Sequence, residues 1–139
     1  MNVNDILNDT DSKKSFLTGL VFIAKSDGRI DEREKVFFQN AGIALGLDDL
    51  SMEALNACWE MDQCPPLEFS NMVQKKFFIR EAIQLCCIDE HYAEPEKAFV
   101  YNIANKLGVS TTAVKDLENW VYEGIAWKKQ GDEFIRTEG

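Results

Sequence analysis

Residues 23–47 read IAKSDGRIDEREKVFFQNAGIALGL, and residues 85–109 read LCCIDEHYAEPEKAFVYNIANKLGV. Sliding the chain by 62 residues lays one stretch on the other without a gap. Asp27 falls on Asp89, Glu32 on Glu94, Glu34 on Glu96, Lys35 on Lys97, Phe37 on Phe99 and Asn40 on Asn102. Leu45-Gly46 falls on Leu107-Gly108. Each copy reads as an apolar helix end, an Asp, a short polar loop, an acidic helix start, an apolar helix and a terminating Leu-Gly. The duplication predicts two similar halves, and its helical punctuation predicts an all-α fold.

Working outward, a turn of helix is expected around Val3–Leu7. Asp11 or Ser12 is a suitable N-cap for a long helix reaching about Ser26, with Phe16, Leu20 and Ile23 on one face. Gly28 breaks it, because glycine accepts the positive φ of a sharp turn. Asp31 caps the next helix, with Glu34 at the capping-box spacing, and Gly46 stands where a helix C-terminus wants a left-handed residue. Asp48 caps a third helix carrying Met52, Leu55 and Trp59, which ends before Pro65-Pro66. That proline pair marks the seam between the halves. Ser70 is expected to cap a fourth helix to about Ile88. Pro95 suits the first turn of a fifth, which ends at Leu107-Gly108. Ser110 caps a sixth, running to about Lys129 with Leu117, Trp120, Val121 and Gly124 on one face. The expected architecture is a single-domain helical bundle of about six main helices over residues 1–139. Its two pseudo-symmetric three-helix halves cover about residues 12–64 and 70–130, and residues 131–139 form a loose tail. Four repeat-matched pairs are expected in the core: Phe16 and Phe78, Ile23 and Leu85, Phe37 and Phe99, Leu45 and Leu107.

The 139 residues suffice for one domain with a real core, and 45% of them are hydrophobic. The net charge of −9, from 24 acidic and 15 basic residues, argues against a nucleic-acid partner, since that affinity rests on clustered Lys and Arg. An acidic surface favours cations or basic protein patches. No apolar leader opens the chain, and the run Phe16–Ala24 is too short to span a bilayer. A cytoplasmic protein with no membrane insertion is the expectation. The four cysteines form no C-x-x-C pair and there is one histidine, so neither a zinc site nor a disulfide framework is expected.

The loop Lys25–Glu34 ends in D-G-x-I-x-x-x-E, similar to the second half of an EF-hand calcium loop. The first half fails, with Ile23 and Lys25 where carboxylates should stand. What persists in both copies is one Asp at a helix end and one Glu seven residues later. Packed about a pseudo-twofold axis, Asp27, Glu34, Asp89 and Glu96 would offer an all-oxygen site suited to calcium, magnesium or manganese. The alternative reading is capping: first-turn acids interact well with the helix dipole and can close capping boxes. Capping accounts for the glutamates. It accounts less well for Asp27 and Asp89, which sit where a helix C-terminus disfavours negative charge. His91 reads as a solvated loop residue, Cys86 and Cys87 as core residues, and Trp59, Trp120 and Trp127 as core or rim.

Ala24-Lys25-Ser26-Asp27-Gly28 with Glu34 forms one motif. Asp89, Glu96 and then Ile103-Ala104-Asn105-Lys106-Leu107-Gly108 form its second copy, with Glu90 in place of the glycine. Together they resemble the TerB-like family, which includes bacterial tellurite-resistance TerB proteins and the soluble domain of a membrane-anchored DnaJ-like co-chaperone. The likeness spans about Phe16 to Lys129. It implies an all-helical fold, a metal-binding patch at Asp27, Glu34, Asp89 and Glu96, and a stress-response or adaptor role. The leading expectation is thus a non-enzymatic adaptor that binds a divalent cation and a protein partner. The alternatives are a purely structural interaction module without metal and, last, a metal-dependent hydrolase, for which no nucleophile or general base stands out.

Overall fold

The computed structural model describes residues 2–26, 28, 31–87 and 92–137. Within them every regular element is helical: α1 (Val3–Ile6), α2 (Thr10–Lys25), α3 (Glu32–Ala44), α4 (Asp49–Ala57), α5 (Met72–Cys87), α6 (Glu94–Leu107) and α7 (Thr111–Arg136). A 3-10 turn, Cys58–Glu60, extends α4. Helices α2 and α5 form the centre: α2 packs on α3, α4, α5 and α6, and α5 on α1, α2, α6 and α7. Among the described residues α3 packs only on α2 and α4 and makes no contact with α6. No described helix is long and apolar enough to cross a membrane.

Local chemistry repeats at the 62-residue spacing. Asp9 Oδ1 accepts from the Ser12 amide at the start of α2, and Asn71 Oδ1 accepts from the Gln74 amide at the start of α5. These caps replace the expected Asp11 or Ser12 and Ser70. The reason is that Ser12 is needed inside, where its hydroxyl donates to Gln74 Oε1 at 2.7 Å. Asp48 caps α4 and Ser110 caps α7, as expected. Gly46 and Gly108 both take positive φ, and the amides of Leu47 and Val109 reach back to the carbonyls of Gly42 and Ala104. Two helices are thereby closed by the same Schellman geometry.

Ser12 and Gln74 are fully buried and lie where α2 meets α5. Gln74 uses its whole amide. Its Oε1 accepts from the Ser12 hydroxyl and the Ser70 amide, while its Nε2 donates to the Ile6 carbonyl and Asn8 Oδ1. One turn further along, Phe16 meets Phe78 edge-on at 6.3 Å. A Cβ on Gly19 would fall 2.4 Å from the Phe78 ring, so this crossing requires glycine.

The expected burial of Phe37 is corrected. Phe38 faces the core at 2% exposure, whereas Phe37 is 59% exposed and leans edge-on against Phe38 at 5.4 Å. The inward line of α3 is Phe38, Gly42 and half-buried Leu45, at the i, i+4, i+7 spacing of one helix face. The matched line of α6 is Val100, Ala104 and half-buried Leu107, leaving Phe99 half-buried at its edge. Phe16, Ile23 and Phe78 are buried as expected, and Leu85 is half-buried. The expected loose tail is also corrected: α7 continues through Gly131 to Arg136, with exposed side chains.

Candidate functional site

Of the four expected cation ligands, Asp27 and Asp89 lie outside the described residues, as does His91. Glu34 and Glu96 occupy the first turns of α3 and α6, each half-buried. Glu96 Oε1 accepts from the Ala93 amide at 3.1 Å. It supplies the return arm of a capping box whose forward arm Ala93, lacking a side-chain oxygen, cannot make. Asp31 caps α3 by accepting from the Arg33 amide at 2.9 Å. Since α3 and α6 do not pack together, no direct helix contact unites the two glutamates. No group of three or more His, Cys, Asp or Glu stands close enough to hold a metal among the described residues. Lys25, which spoils the EF-hand pattern, donates through Nζ to the carbonyls of Cys58 and Met61 and so closes the end of the α4 segment.

A second polar cluster escaped the sequence. Glu118 is buried in α7 at 5% exposure, and its Oε1 accepts from the Tyr101 hydroxyl of α6. Glu118 Oε2 and the Tyr92 hydroxyl are also buried, and neither completes a hydrogen bond within the described residues. Burial pushes the Tyr92 phenol far above the ordinary tyrosine value of 10.0, and the nearby Glu118 charge adds to it. Tyr101 is raised by burial and then by its hydrogen bond to Glu118 and the charge there, and Tyr122 by burial and then by the Glu118 charge. These are all the tyrosines of the chain. An alkaline titration followed by tyrosinate absorbance should therefore leave the folded protein less than half ionised at pH 10. A phenol with a raised folded pKa favours the fold below pH 10 and loses that contribution as pH rises beyond it, so ionisation and unfolding should coincide. A full tyrosine transition at pH 10 in folded protein would show the cluster to be open. The first half has no equivalent, since exposed Asn56 stands at the matched position.

Neither Cys58 nor Cys64 is an activated nucleophile. Burial raises the Cys58 thiol and lifts Cys64 to about 11. Cys86 and Cys87 are buried, as expected. Thiols held above their ordinary value carry little thiolate at neutral pH.

Among the described residues, α7 exposes a run of large hydrophobic side chains. A helix of 26 residues is about 39 Å long at 1.5 Å per residue. From Ala126 onward every described side chain is exposed. Trp59 is buried, but Trp120 is half exposed, Trp127 77%, Phe134 82% and Ile135 83% exposed. Trp120, Trp127 and Phe134 recur every seven residues, and Gly124 and Gly131 fall between them at i+4. Helical geometry sets these five on one stripe. The stripe borders a groove of about 780 Å³ whose far wall is Gln84 and Cys87 of α5. Arg80 stacks over the Trp120 ring at 5.3 Å at its body end. A Cβ on Gly124 or Gly131 would meet nothing within 4 Å. Each of these glycines costs the helix about 1 kcal/mol relative to alanine.

Compared with known proteins, the chain matches no family model, no curated protein and no solved structure.

Proposed function

We propose that this chain is a TerB-like, cytoplasmic, non-enzymatic adaptor that docks a protein through the exposed aromatic face of α7. The observation that carries the reading is the projecting half of that helix. A monomeric protein rarely leaves a contiguous apolar patch larger than a few hundred Å² without a use for it. Exposed tryptophans spaced one heptad apart are the residue type that anchors protein interfaces. The thiols raised by burial support a binding role over a catalytic one. The test is retention of host proteins on immobilised full chain. A variant with Trp127→Ala and Phe134→Ala should lose them while keeping its melting temperature, because both side chains touch solvent rather than the core. Equal retention by variant and wild type, with both proteins monomeric, would remove α7 as the docking surface.

The two halves, about residues 12–64 and 70–130, we read as pseudo-symmetric. Matched caps and helix ends support this, as do the contacts of Ser12 with Gln74 and Phe16 with Phe78, each pair 62 residues apart. The match is incomplete, for α2 touches α6 whereas α5 does not touch α3.

A second reading is that Asp27, Glu34, Asp89 and Glu96 also hold a divalent cation: calcium, magnesium or manganese. It is favoured by the matched, half-buried placing of Glu34 and Glu96 in two first turns. A cation at about 100 times its dissociation constant stabilises the native state by roughly 2.7 kcal/mol. The wild type should then melt higher in millimolar cation than in chelator at fixed ionic strength. Asp27→Asn and Asp89→Asn should abolish that difference, leaving the metal-free form no less stable. Identical wild-type melts in the two buffers would leave the acids as caps.

A further inference from the structure

Every glycine whose surroundings are described answers to the fold of this chain, except two. Gly19 and Gly42 sit where a Cβ would strike Phe78 or Met52, and Gly28, Gly46 and Gly108 take positive φ. Gly124 and Gly131 are helical, open to solvent and one heptad apart, in the middle of a helix they weaken. Nothing within the monomer requires them. Glycine in such a place lets another backbone come close.

We propose that the occupant is a second copy of this chain, with the two α7 helices packed antiparallel. In a heptad frame Gly124 and Gly131 take the a positions, and Trp120, Trp127 and Phe134 the d positions. Antiparallel pairing sets a against d, so each tryptophan of one copy lies over a glycine of the other. Trp120 meets Gly131, and Gly124 meets Trp127. Parallel pairing would instead stack tryptophan on tryptophan and leave a void between glycines. The exposed flanking positions fit as well: Lys128 and Ile135 line one side, and Glu123 and Gln130 the other, so no like charges are forced into direct opposition. With Phe134 of one copy reaching the body of its partner, each arm lies along the groove beside Gln84 and Cys87.

The area is adequate. Aromatic side chains present about 150–250 Å² each, so the exposed parts of Trp120, Trp127 and Phe134, with Ile135, come to roughly 500 Å² per copy. Two copies bury roughly 1,000 Å² before the stems of Lys128 and Gln130 are added, near the lower end of specific interfaces at about 1,200 Å². An area of this size suits a weak, reversible dimer rather than a permanent one.

This inference rests on α7 being a docking surface, and sedimentation of the full chain across the micromolar range tests the two separately. The wild type should approach twice its 15.8 kDa mass. Gly124→Leu and Gly131→Leu point into open space, so the monomer should stay folded and melt no lower. They should nevertheless raise the dimer dissociation constant by about 100-fold or more. Under mild oxidation Gly131→Cys alone should not cross-link, whereas Gly131→Cys combined with Trp120→Cys should. A Gly131→Leu protein that dimerises like the wild type, or a disulfide from Gly131→Cys alone, overturns the geometry. A monomeric wild type overturns the second copy. If that monomer retains a host protein that Gly131→Leu loses, docking through α7 stands with a different partner. If it retains none, both readings fall. Cosedimentation of the monomer with anionic lipid vesicles would replace the second copy with a membrane surface.

Discussion

Gln74→Leu is expected to destabilise the protein by on the order of 3–5 kcal/mol. Leucine fills much the same space, so the loss comes from hydrogen bonds rather than packing. Gln74 is at 0% exposure and satisfies the Ser12 hydroxyl, the Ser70 amide, the Ile6 carbonyl and Asn8 Oδ1 together. The Ser12 hydroxyl can fall back on Asp9 Oδ2, which it already contacts at 2.8 Å. The part-buried Ser70 amide and the carbonyl of buried Ile6 have no such substitute among their described contacts, and a buried polar group stripped of its partner costs about 1–3 kcal/mol. Chemical denaturation should show the loss as a lower midpoint at unchanged slope. Gln74→Glu refines the argument. A carboxyl here is disfavoured when charged, by burial and by the neighbouring Asp9, so its folded-state pKa would be raised. The variant should be nearer wild type in acid and lose stability as pH rises through the ordinary carboxylate range. A cost below about 1 kcal/mol for Gln74→Leu would mean that water replaces the amide and that the site is not sealed.

Phe38→Ala should cost about 3–5 kcal/mol, and Phe37→Ala, one residue away, less than about 1 kcal/mol. Phe38 is sealed between α3 and the body and packs on the Trp59 ring at 5.7 Å. Its removal opens a cavity beside the Trp59 ring. Phe37 lies mostly in solvent and loses only the edge of its contact with Phe38. Reversed values would place α3 in the rotation expected from its sequence, with the α3 face turned by one residue.

That pair shows where sequence reading stops. The caps Asp31, Asp48 and Ser110 and the left-handed Gly46 and Gly108 were legible because each is decided within a few residues of itself. The choice between Phe37 and Phe38 is not local. Both are equally apolar, and the rotation of α3 against α2 decides which points inward. The cap of α2 failed for a related reason: Asp9, Asp11 and Ser12 are all competent, and Ser12 was claimed by a partner 62 positions away. Glu118 carried no signal at all, since it reads as one more acid on a charged helix until Tyr101 closes over it. The exposed stripe of α7 was present in the sequence as tryptophans one heptad apart. The signal passed over was glycine, twice, in a helix with no turn to make. For the acidic quartet, the duplication showed which residues recur, and Asp27 and Asp89 lie outside the described residues.

The buried contact between Ser12 and Gln74 also bears on how the two halves know one another. Consider each half as a separate polypeptide. A pairing of two first halves would bring serine to serine at this point, with a gap too wide for their hydroxyls. A pairing of two second halves would force two glutamines into the space of one. The short hydroxyl and the long amide fit only each other. On the pseudo-symmetric reading proposed above, this interior hydrogen bond would act as a recognition code that favours unlike halves over like ones.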